Sequence, residues 1–153
     1  MKGHCNICGT YDDLTRDHVP PKGAVKITQM ISLNMIDALD MDKPKKIVKN
    51  RNNIYQNGVL FQRLCARCNN QLLGIDLDPE FNRFVNSVYS ITNSTLTLPP
   101  TVKIPCKPNK VIRAFLGHMT AVGSYENSVL LRDELGNFIQ GNAALPSDAT
   151  VYC

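Results

Sequence analysis

The chain has 153 residues, 43% of them hydrophobic and 20% charged, which fits one globular domain and excludes a fibrous or wholly disordered protein. No apolar run approaches the roughly 18 residues of a membrane span, and the N-terminus MKGHCNICGT has no apolar signal-peptide core. A cytoplasmic protein with no membrane partner is therefore expected, and its net charge of +4 allows an anionic partner without demanding one.

Six cysteines in such a chain argue against a disulfide framework. Four fall into two C-x2-C pairs, Cys5/Cys8 and Cys65/Cys68. Each spacing lets two thiolates converge on one tetrahedral ion at about 2.3 Å, and two pairs together fill a closed structural Zn²⁺ site. A redox C-x2-C is the competing reading, but it needs only one pair and a thioredoxin-like βαβ pattern that is missing here. His4 could replace one thiolate, although four cysteines make that unnecessary. Cys106 and Cys153 lack a C-x2-C partner and read as buried free thiols.

After the first pair comes Leu14-Thr15-Arg16-Asp17-His18-Val19-Pro20-Pro21-Lys22, and immediately after the second come Asn69 and Asn70. Alone, an Asp-His pair reads as a turn or helix start. A metal cluster, however, brings Cys8 and Cys68 together, and with them the segments carrying Asp17, His18 and Asn69. A carboxylate, an imidazole and a carboxamide in one cleft suit metal-assisted phosphodiester hydrolysis. A hard Mg²⁺ prefers oxygen ligands, which Asp17 and Asn69 can give. A neutral His18, with an ordinary pKa near 6.5, can deprotonate the attacking water.

Residues 24–41 carry a helical stripe of Val25, Ile31, Met35 and Leu39, read as core or an oligomer contact. Lys43, Lys45, Lys46, Lys49 and Arg51 then crowd together, either as a solvated loop or as a strip against nucleic-acid phosphates. Residues 69–74 should form a short helix ended by Gly74. Asp78-Pro79-Glu80 reads as N-cap, N1 proline and first-turn acid of a helix burying Phe81, Phe84, Val85, Val88 and Tyr89. Residues 94–105 suggest two short edge strands or an extended connector. Pro108 and Asn109 open a helix striped by Val111, Ile112, Phe115, Leu116, Met119 and Val122, with His118 beside the stripe as a satisfied or solvated histidine. A last helix over about 127–135 should stop at Gly136-Asn137. The final Ala149-Thr150-Val151-Tyr152-Cys153 looks like a strand start, which suggests a fragment of a longer protein whose later part chooses the target.

The order C-x2-C, Leu14-Thr15-Arg16-Asp17-His18-Val19-Pro20-Pro21-Lys22, then C-x2-C with Asn69-Asn70, resembles the HNH (ββα-metal, treble-clef) endonucleases over roughly residues 5–75. It is most similar to the branch stapled by a four-cysteine zinc, as in phage Holliday-junction resolvases. The resemblance implies an α+β fold: a zinc-stapled ββα-metal nuclease core over residues 1–75, with an insertion at about 24–52, and a mainly helical extension over 76–153. It implies Asp17 and Asn69 as ligands of a catalytic Mg²⁺ or Mn²⁺, His18 as general base, and DNA as substrate. The family often has histidine where Asn69 stands. Its middle asparagine braces the catalytic histidine, and Asn52, Asn53 and Asn57 compete for that place. Asn57 is favoured because Asn57-Gly58 is a strong hairpin turn ahead of Val59-Leu60-Phe61. Lys22, Lys43, Lys45, Lys46, Lys49 and Arg51 would contact DNA, and cutting both strands would call for a homodimer. The alternative is a non-catalytic zinc-binding module that binds nucleic acid or protein, and it leaves Asp17, His18 and Asn69 without a role.

Overall fold

The computed structural model describes the backbone of residues 1–24, 30–31, 54–55, 58–123 and 129–145, and the side chains of 1–24, 58–123 and 133–145. Among the described residues five strands come first: β1 (Lys2–His4), β2 (Tyr11–Val19), β3 (Met30–Ile31), β4 (Ile54–Tyr55) and β5 (Val59–Cys65). They are followed by a π-helical segment, α1 (Arg67–Leu77), and three α-helices: α2 (Asp78–Thr92), α3 (Pro108–Val122) and α4 (Val129–Gln140). The fold is therefore α+β. β1, β2 and β5 form a three-stranded antiparallel sheet with β2 in the centre, and β3 pairs with β4 separately. The helical stripe expected over 24–41 lies largely outside the described residues, and where the backbone is described, at Met30–Ile31, it is a strand.

β2 and β5 make the long hairpin of the molecule. Leu14 faces Cys65 and Thr15 faces Leu64, whereas Asp17 faces Phe61 and His18 faces Leu60. Between these pairs Gln62 and Arg63 stand opposite the single residue Arg16, a bulge that raises the local twist. Side chains alternate along a strand, so Thr15 and Asp17 share a face of β2.

The helical run does not stop at Gly74. It passes through α1 into α2, and the Asp78 N–H donates to the Leu73 carbonyl five residues back. Leu73 and Leu77 are both fully buried. Burying such a side chain stabilises by about 1.5–3 kcal/mol, whereas a mid-helix glycine costs about 1 kcal/mol. The leucines win. Asp78 consequently lies inside the run and caps nothing. On α2 the expected apolar residues are half-buried, with Tyr89 exposed. Residues 94–105 are an extended connector without strands.

The expected stripe of α3 is divided: Val111, Ile112 and Leu116 are half-buried, with Leu116 packed on the core, while Phe115, Met119 and Val122 are exposed. The buried positions are the small Ala114, Gly117 and Ala121 together with His118. A side chain on Gly117 would collide with Leu73, so α3 approaches α1 through its small residues. α4 likewise runs past Gly136-Asn137 to Gln140. Gly136 is instead the point where α4 crosses the Ile7 carbonyl, too close for any side chain.

One core joins these pieces. Cys5, Ile7, Leu14, Leu64, Leu73, Leu77, Ala114, Ala121 and Ile139 belong to a single buried cluster that draws on the sheet and on three helical segments. The first cysteine pair is tied to α3 as well, since Asn6 Nδ2 donates to the carbonyls of Thr120 and Gly123 at 2.7 and 3.0 Å. Among the described residues no helix is long and apolar enough to cross a membrane.

The crossing at Gly136 gives a test. Gly136→Ala must push α4 off the Ile7 backbone, and overpacking of this kind costs about 1–3 kcal/mol. A lowered thermal midpoint is expected, and an unchanged one would show that α4 does not rest against Ile7.

Candidate functional site

The four cysteines are brought together by strand ends. β1 leads directly into Cys5, and the chain reverses through a tight knuckle in which the Gly9 N–H donates to the Cys5 carbonyl at 2.9 Å. Gly9 has φ +72°, a left-handed conformation that favours glycine. Cys65 ends β5, and Cys68 lies in the first turn of α1. The Asn6 N–H donates to the Arg63 carbonyl at 2.9 Å and fastens the two knuckles to each other.

The sulfurs of Cys5, Cys8, Cys65 and Cys68 all lie within 4.8 Å of one another. Cys8 Sγ and Cys65 Sγ are 3.7 Å apart, far beyond the about 2.05 Å of a disulfide. Four sulfurs at about 2.3 Å from one ion form a tetrahedron whose edges are about 3.8 Å, which this spacing fits. The thiols also compete for protons. The hydrogen bond from Cys68 lowers Cys5 to about 4 against the opposing effect of burial. The same bond pushes Cys68 up, reinforced by burial, and burial pushes Cys65 up. Four thiolates this close repel, and a divalent cation is what lets all of them ionise. The four cysteines are thus positioned to bind a metal ion, in a manner compatible with structural zinc. Arg67 lies beside the Cys8 sulfur and donates to Gln140 Oε1 at 3.1 Å, placing a cation next to the cluster. His4 takes no part, since its Nδ1 lies 2.9 Å from the Gly9 carbonyl oxygen and its ring meets Tyr11 edge-on. Cys106 is a half-buried free thiol rather than a buried one, and Cys153 lies outside the described residues.

Beside this cluster opens a cleft of about 360 Å³, lined among others by Arg16, Asp17, His18, Lys22, Asn69 and Asp78. Asp17 and His18 come from the end of β2, Asn69 from the residue after the last cysteine. The three meet in one cleft. Asn69 is oriented by its amide nitrogen, which donates to Thr15 Oγ1 at 2.9 Å and to the Arg16 carbonyl at 3.1 Å. Thr15 Oγ1 in turn donates to the Leu64 carbonyl at 3.0 Å. With Nδ2 committed to β2, Oδ1 of Asn69 is the atom left for a cation. His18 is held below the usual histidine range by burial and by the Lys22 cation, partly offset by Asp17. Its imidazole is therefore neutral at pH 7 and able to accept a proton.

Two residues on this cleft wall or behind it were not singled out from the sequence for chemistry. His118, only 4% exposed, reaches from α3 to Asp17, with Nδ1 3.1 Å from Asp17 Oδ2. Its Nε2 lies 2.9 Å from Asp78 Oδ1. His118 is satisfied, as expected, but by two carboxylates of the cleft. Burial alone would lower its pKa, yet hydrogen bonds to Asp17 and Asp78 win and raise it to about 9. Asn57 and the strip of Lys43, Lys45, Lys46, Lys49 and Arg51 lie outside the described residues. Comparison with protein-family models, with curated proteins and with solved structures finds no match for this chain.

Cys65→Ser should abolish metal binding and cooperative folding, since structural zinc supplies on the order of 10 kcal/mol to small metallo-domains. Elemental analysis and thermal denaturation read both outcomes. His118 gives a pH dependence of opposite origin. Its folded pKa is raised, so its contribution is complete below about pH 6.5 and is lost as pH rises through about 9. The loss is on the order of 3 kcal/mol. Denaturation midpoints of the metal-loaded protein, taken without added Mg²⁺, should fall across that window more steeply than those of His118→Gln.

Proposed function

We propose that this chain is a metal-dependent endonuclease of the HNH (ββα-metal, treble-clef) type, which hydrolyses DNA phosphodiester bonds beside a structural Zn²⁺ held by Cys5, Cys8, Cys65 and Cys68. The observation that carries this reading is the cleft itself. Asp17, His18 and Asn69 come from segments far apart in sequence, and the cysteine cluster brings them to one wall. The reading is supported by a long antiparallel strand pair, β2 and β5, that leads into a helical segment and has the cysteine pairs at its base.

The donor set suits a hard cation. Asp17 has one carboxylate oxygen taken by His118 and the other left, and Asn69 offers its carbonyl oxygen. A bound Mg²⁺ or Mn²⁺ supplies a Lewis acid for the charge that develops on the phosphate and the departing 3′ oxygen. His18, neutral at pH 7, takes the proton from the attacking water. Lys22 serves twice: it attracts the phosphate backbone, and its charge keeps the His18 imidazole unprotonated. Arg16, exposed on the same wall, adds a second cation for the nucleic acid.

A second reading has its own observation. Asp17 already pairs with His118 in the interior, so its role could be to join β2 to α3 in a non-catalytic zinc-binding module that binds nucleic acid or protein. Nicking of supercoiled plasmid with Mg²⁺ or Mn²⁺ separates the two. The nuclease reading expects His18→Ala to lower turnover by about 10²–10⁴ with unchanged thermal stability. It also expects Asn69→Ala to raise the Mg²⁺ concentration needed for half-maximal rate. Wild-type nicking by His18→Ala would remove the base from the mechanism, and no nicking by the zinc-loaded wild type on DNA would favour the binding module.

A further inference from the structure

We propose that His118 and Asp78 are positioning residues for the cation site: His118 grips one oxygen of Asp17 and so holds the other for a divalent ion, while Asp78 fixes the ring that does the gripping. The inference rests on the nuclease reading above and deepens it.

The geometry is a carboxylate–imidazole–carboxylate chain across three elements. Asp17 stands on β2, His118 on α3 and Asp78 at the start of α2, and each ring nitrogen of His118 faces a carboxylate oxygen, at 3.1 and 2.9 Å. A neutral imidazole has one N–H, and would turn a lone pair toward one of the two carboxylates. Contacts at both ring nitrogens leave the ring no freedom to flip or swing without losing one carboxylate. Phe81 stands beside it, with ring centroids 6.3 Å apart and planes tilted by 38°. Asp17 is 5% exposed, and among the described residues its Oδ1 accepts no hydrogen bond; the side chain nevertheless lines the cleft.

Stability alone gives little reason for this arrangement. Buried ionic networks commonly do no better than apolar side chains of the same volume, and the surrounding face of α3 is made of Ala114, Gly117 and Ala121. Orientation of a ligand does give a reason. Residues that hydrogen-bond to a metal ligand set its direction and basicity, and losing one typically costs 10–100-fold in metal affinity. Asp78 also brings a second carboxylate to the cleft wall.

The test is Mn²⁺ binding to zinc-loaded protein, measured by the electron paramagnetic resonance of free Mn²⁺ in a His18→Ala background so that turnover does not enter. Asp17→Asn should abolish the site. Asp78→Asn, which is nearly isosteric, should weaken binding by about 10–100-fold. The two amide replacements of His118 separate positioning from mere filling of space. His118→Asn puts a donor near the old Nδ1, facing Asp17, and should bind Mn²⁺ more tightly than His118→Gln although less tightly than the wild type. His118→Gln puts its donor near the old Nε2, facing Asp78, and should lose about 10–100-fold. Equal affinity in wild type, Asp78→Asn and His118→Gln, with the site still lost in Asp17→Asn, would overturn the inference and leave the nuclease reading standing. A protein whose Mn²⁺ binding is indifferent to Asp17→Asn would overturn the reading itself. Should His118→Gln fail to fold, Asp78→Asn decides alone.

Discussion

Four sulfurs crowded within 4.8 Å make a constraint that thiol chemistry alone does not satisfy. Without a cation they share too few places for negative charge, and the protons are distributed unequally among them. With a divalent ion the repulsion becomes a bond to each of two chain segments, Cys5–Cys8 and Cys65–Cys68. The base of the β2–β5 hairpin, the turn after β1 and the start of α1 are thereby held at one point. Asn69, one residue past the last cysteine, has little freedom in where it lies, and it reaches β2 through Thr15 and Arg16. The cleft is a by-product of that clamp.

The residues of the cleft divide by how they are held. Asn69 and His18 are supported by the hairpin and its immediate neighbours. Asp17 is supported from the far side, by an α3 that begins some ninety residues later in the chain. Its burial would be costly for a lone carboxylate, and the His118 ring offsets that cost while Asp78 balances the charge of the ring. Both carboxylates then keep access to the cleft. A cleft wall assembled this way depends on the helices as much as on the hairpin.

This division explains what could be read from the sequence. The cysteine pairs have a spacing that is itself a chemical statement, and the Asp17-His18 pair and Asn69 gain meaning from standing next to them. Bridged knuckles and a shared cleft were therefore legible. His118 was not, because the link from Asp17 to His118 spans 101 residues and leaves no local pattern. The large residues of α3 located its inner face only in part, since Leu116 packs on the core while Phe115 and Met119 stay exposed, and close approach to Leu73 requires the small side of Ala114 and Ala121. Asp78 misled in a different way: followed by Pro79 it has the form of a helix start, but the buried pair Leu73 and Leu77 carries the helix straight through. Gly74 and Gly136 failed as stop signals for the same reason, that packing on either side decides where a helix ends.

Asn6 gives the clamp a longer reach than its ligands suggest. Lying between two sulfur-bearing residues, it ties off the free carbonyls at the C-terminal end of α3, the helix on which His118 sits a single turn earlier. Oxidation or depletion of the thiol centre would therefore not act only at the knuckle. It would unfasten the end of the helix that steadies Asp17, so that the knuckle and the cleft wall fail in sequence from a single chemical injury.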